Sequence, residues 1–119
     1  MATPSLITQS VPRGRVAVVV ELDPKGEIVV RPDPFWIHLS EDEEVQWFCS
    51  IPHNHDVPNK PCFTVEFKGN SPFHTSRFEG HRAHSGCALN SVQPHPKRLY
   101  KYSVTVSSKT IDPAGGVKA

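Results

Sequence analysis

The chain carries almost no excess charge, no long apolar run and few cysteines, and each shortage removes a class of function. Thirteen Lys and Arg stand against twelve Asp and Glu, a formal charge of +1. No large electrostatic field therefore favours nucleic acid or an anionic membrane surface. No span approaches the roughly 20 apolar residues that a membrane helix needs, so no membrane insertion is expected. Residues 1–15 lack the apolar centre of a secretory signal, because Leu6 and Ile7 give way to Thr8, Gln9 and Ser10. The expectation is a cytoplasmic chain with no export signal of its own, a mature exported form whose leader has been replaced by Met1 being the alternative. Three cysteines, an odd number, fit a reducing compartment better than an oxidising one. No Gly-rich phosphate loop is present. Carboxylates cluster only at Glu41, Asp42, Glu43 and Glu44, which read as an exposed turn under mutual repulsion.

What is abundant points to strands. Twelve Pro and seven Gly punctuate Val-rich stretches, and few runs favour helix. At 119 residues the chain fits one domain, large enough to bury roughly two thirds of its unfolded surface. Val16, Val18, Val20 and Leu22 alternate with Ala17, Val19 and Glu21, a period of two that marks a half-buried strand. Asp23, Pro24, Lys25 and Gly26 have type I turn chemistry, and residues 27–31 return as the hairpin partner. Pro32 and Pro34 interrupt the ladder. Phe35, Ile37 and Leu39 follow on one face, with Trp36 and His38 opposite. Ser40 and Glu43 have capping-box spacing for one helical turn. Val45, Trp47 and Cys49 form the next apolar row, then Phe63, Val65 and Phe67, then Tyr100, Tyr102, Val104 and Val106. Between residues 68 and 96 neither period is sustained, and a short strand near Phe78 or a helical turn at residues 81–84 is expected there. A stretch so long is usually functional. The chain divides into an extended arm at residues 1–15, a sandwich at 16–112 and a tail at 113–119.

Cys87, a loop holding His95, and the strand ending at Val106 stand in the order in which plastocyanin-type cupredoxins carry a Cys, His and Met cluster around copper. With the early hairpin, the acidic turn into Val45, Gln46 and Trp47, and the strand at residues 63–67, the chain resembles the cupredoxin-like fold over residues 16–106. The resemblance implies an all-β, antiparallel Greek-key β-sandwich; a small open barrel is the alternative. It also implies loss of the type 1 copper site. Seven residues separate Cys87 from His95, and the only methionine is Met1. Pro52, His53 and Asn54 spell the usual approach to the first copper histidine, but Phe63 holds the position where that histidine opens the strand.

Seven histidines nonetheless support a metal hypothesis. His81, His84 and Cys87 recur at three-residue spacing, which on a helical turn shares one face, and His74 or His95 would be the fourth ligand of copper or zinc. His53 and His55, beside Asp56, form a second candidate pair. Cys49 and Cys62 are expected as thiols, a disulfide being the alternative. Cys87 with His84 or His95 is the one conceivable nucleophile pair. Phe73, Arg77, Phe78 and Arg82 are candidate partner contacts, and Arg77, Arg82, Lys97, Arg98 and Lys101 read as a solvated basic face rather than a nucleic-acid site. The functional expectation is a non-enzymatic domain without a cofactor that binds another protein, or a second copy of itself, as an accessory subunit. The alternative is a metal-binding protein using His81, His84, Cys87 and His95.

Overall fold

A computed structural model describes residues 14–52 and 62–119. Ten strands fill it in chain order: β1 (Gly14–Leu22), β2 (Ile28–Arg31), β3 (Phe35–His38), β4 (Glu43–Cys49), β5 (Phe63–Phe67), β6 (Arg77–Gly80), β7 (Arg82–His84), β8 (Tyr100–Val106), β9 (Lys109–Ile111) and β10 (Ala114–Lys118). Among the described residues no helix is long and apolar enough to cross a membrane.

The strands make two sheets. One runs β2-β1-β4-β7; the other runs β3-β10-β8-β5-β6, with β9 paired to β8. The antiparallel expectation needs correction, because both sheets are mixed: β1 pairs parallel with β4 and β3 parallel with β10. The cause lies at the two prolines, where the chain leaves the first sheet after β2 and enters the second at β3. Without an amide hydrogen, Pro32 and Pro34 cannot continue the ladder. Asp33 between them accepts from Ala114 N at 3.0 Å, which ties the crossing to the start of β10.

The alternation read from the sequence decides what is buried. Val18, Val20, Phe35, Ile37, Val45, Trp47, Phe63, Val65, Phe67, Tyr102 and Val104 all lie between the sheets. The first turn forms as its residues require: Gly26 N donates to Asp23 O, and the Asp23 carboxylate accepts from Lys25 N and Glu27 N, each at 2.9 Å. The acidic turn differs from its expectation. It holds a 3-10 turn at Leu39–Glu41 whose N-cap is His38, with no side-chain cap from that residue. Glu43 reaches back instead, accepting from His38 N at 2.7 Å.

Aromatic rings form the centre of the core. Trp47 meets Phe35, Phe67 and Tyr102 edge-on at 6.1, 6.4 and 5.8 Å and stacks on Phe78 at 5.3 Å. Phe73 closes the cluster against Phe67 and Phe78. Phe73 and Phe78 are thus core side chains, while Arg82 lies 5.7 Å over the ring of Phe48.

Residues 113–119 are not a tail. β10 sits between β3 and β8, and its residues from Ala114 to Val117 are buried. Ala-Gly-Gly is a poor strand former by composition. It works here because the Phe35 ring lies against Gly115 and the Trp36 ring against Gly116, where a Cβ would overlap either ring.

Candidate functional site

The long irregular stretch packs as a layer of loops around Leu89. Leu89 N donates to Pro72 O at 2.8 Å, Val92 N to Leu89 O at 3.1 Å, and His95 N to Val117 O at 2.9 Å. Ser71 Oγ donates to Thr75 O and accepts from Phe73 N. These bonds satisfy backbone groups that neither sheet pairs. Two cavities open on either side of Leu89. The smaller, about 350 Å³, is walled by Asp42, Glu43, His74 and Cys87. The larger, about 520 Å³, is walled by Asn70, Ser91, Gln93, Arg98 and Tyr100.

The expected metal cluster does not assemble. Residues 81–84 lie at the junction of β6 and β7 rather than on a helical turn, so the three-residue spacing no longer shares a face. His81 offers its carbonyl to Cys49 N at 2.8 Å. His84, paired with Gln46 across β4 and β7, has Nδ1 3.7 Å from the Glu44 carboxylate and Nε2 3.3 Å from the Gln46 amide. Gly86, at φ 73°, turns the chain before Cys87, whose Sγ lies 3.9 Å from Asp42 O in the smaller cavity. His95 caps a turn, its Nδ1 accepting from Lys97 N at 3.0 Å and Arg98 N at 3.1 Å. Among the described residues no three His, Cys, Asp or Glu side chains are placed to hold a metal ion. His53, His55 and Asp56 lie outside the described residues.

Cys87 is also a poor nucleophile. Burial, and then the carboxylates of Asp42 and Glu44, push its thiol up from the ordinary value, which lowers the thiolate fraction at neutral pH.

Glu44 is the residue that sequence reasoning misplaced. It is not on an exposed turn: only 4% of it is accessible. Its carboxylate accepts from Arg15 Nε at 3.0 Å and from Gly86 N at 3.0 Å. The signal was present in the alternation, since extending the row of Val45 backwards puts Glu44 on the outer face with Gln46. The parallel register then sets Arg15 opposite Glu44, a pairing visible only once β1 and β4 are known to be neighbours. Ser85 secures the same corner, its Oγ accepting from Val45 N and donating to Gly86 O at 2.8 Å each.

No disulfide forms among Cys49, Cys62 and Cys87. Burial, a hydrogen bond with the Cys49 side chain and the negative charge of the Cys49 thiolate push Cys62 from 9.0 up to about 12. The proton is therefore held more tightly in the folded chain than in the unfolded one. Below pH 9 both states are protonated and the contribution is intact; as pH rises from 9 to 12 only the unfolded chain loses the proton, and stability falls. Burial moves the Tyr102 phenol the same way. Urea denaturation at pH 7, 9 and 11 should show a falling midpoint, and Cys62→Ala should make the fall shallower. An unchanged pH profile in that variant would contradict the assignment.

Comparison with known protein families, with curated proteins and with solved structures finds no match to this chain.

Proposed function

We propose that this chain is a non-catalytic, cupredoxin-like domain that takes no cofactor and works by binding another protein, or a second copy of itself, as an accessory subunit. The observation that carries this reading is the loop layer around Leu89. It is an irregular face fixed by backbone hydrogen bonds, with two open cavities beside Leu89. Ordering loops costs roughly 1–2 kcal/mol per residue. A face already ordered before contact spares a partner that cost. Arg98, at the rim of the larger cavity, adjoins Leu99, which is 45% accessible and with Leu22 makes up the exposed large apolar side chains among the described residues. Arg is enriched at protein interfaces, and an exposed apolar side chain beside it adds area to bury on contact. The cupredoxin-like assignment is supported by the early hairpin, the strand through Val45 and Trp47, and the strands at Phe63 and Tyr102, all standing in two facing sheets.

The test is native mass spectrometry of untagged chain purified from its source. The expected result is a mass equal to the chain plus a protein partner or a second copy, without metal, and a Leu99→Asp variant should lose the complex while keeping its fold. A monomer carrying stoichiometric copper or zinc, released by His84→Ala, would replace this reading with the metal-binding one.

A further inference from the structure

We propose that Cys49 and Cys62 are an oxidisable thiol pair that closes to an intramolecular disulfide joining the two sheets. Cys49 ends β4 in the first sheet, and Cys62 immediately precedes β5 in the second. Direct strand pairing of the two apolar rows would have set Cys62 on the wrong face. The sandwich removes that obstacle, because β4 and β5 belong to opposite layers, Cys62 belongs to the core cluster between them and Cys49 packs against that cluster. The two thiols meet there in a hydrogen bond. They differ in access, Cys49 being half-buried and Cys62 only 7% accessible, and this assigns the order of events. The structure holds Cys49 at its backbone as well, through Cys49 N to His81 O at 2.8 Å.

The oxidant is a low-molecular-weight disulfide. The Cys49 thiolate attacks one of its sulfurs, forming a mixed disulfide and expelling one small thiolate. The Cys62 thiolate then attacks the Cys49 sulfur and expels the second. The protein loses two S–H bonds and two electrons and gains one S–S bond; the oxidant loses its S–S bond, and the two protons end on the two released thiols. Each step consumes a thiolate, so closure of the bridge quickens as pH rises.

The test incubates the full chain with oxidised glutathione at pH 8 and counts thiols in denaturant. The reduced chain has three. The expected product has one, is lighter by two hydrogens, yields a peptide linking Cys49 to Cys62, melts several degrees higher and reverts with dithiothreitol. Cys87→Ser should give the same bridge. Cys62→Ser should stop at the mixed disulfide on Cys49, heavier by one glutathionyl group. Persistence of all three thiols, a bridge that includes Cys87, or a product joined only between chains would overturn the proposal. Peptide mapping of the unsubstituted chain decides the matter even if Cys62→Ser fails to fold.

Discussion

Trp47→Ala should lower stability by about 3–5 kcal/mol, the range for removing a buried indole without refilling its space. Trp47 is fully buried and touches rings from four other strands: Phe35 of β3, Phe67 of β5, Phe78 of β6 and Tyr102 of β8. Truncation therefore removes four ring contacts to the opposite sheet at once, and each ring pair contributes roughly 0.5–1.5 kcal/mol beyond its buried area. Tyr102 also loses the indole N–H that stands 3.5 Å from its hydroxyl. Against the roughly 5–15 kcal/mol typical of a small domain, a large share of the margin would disappear. Urea denaturation followed by circular dichroism measures this directly. Trp36→Ala is the control, because that ring lies on the outer face and should cost about 1 kcal/mol or less. Similar losses at the two tryptophans would mean that the core is not centred on Trp47.

Gly115→Ala should cost about 3 kcal/mol, while Gly116→Ala should stay within about 1 kcal/mol of the unsubstituted chain. One methyl group is added in each case, one residue apart on β10. At Gly115 the new Cβ overlaps Phe35, whose ring is 1% accessible and held between Trp47 and Tyr102. That ring has nowhere to go. At Gly116 the overlap is with Trp36, which is half-buried under the Lys118 ammonium at 4.6 Å and can swing into solvent. The loss there is one cation–π contact, partly offset because alanine orders more readily than glycine in a strand. Equal effects at the two positions would show that the rings do not lie on opposite faces of β10.

The same pair of glycines marks where sequence reasoning stopped. Strands such as β1, β5 and β8 were legible because their apolar residues alternate over five to nine positions, long enough for a period of two to declare the buried face. β6 and β7, at four and three residues, are too short to show any period. β10 was hidden for a different reason. Asp-Pro-Ala-Gly-Gly has the chemistry of a turn, and only the rings of Phe35 and Trp36, each 80 positions before the glycine it covers, make it a strand. Register across non-neighbouring segments also explains the misreading of Glu44 and of the histidines. Histidine spacing was weighed on a helix that never forms, whereas the carboxylate's partners, Arg15 and Gly86, come from distant parts of the chain.

The insertion of β10 between β3 and β8 bears on how the polypeptide is made. A nascent chain that has emerged only as far as residue 113 holds both flanking strands but not the one that joins them, so β3 and β8 each present a row of unanswered amides and carbonyls. Until residues 114–118 follow and fill that gap, neighbouring polysomal copies could zip together edge to edge.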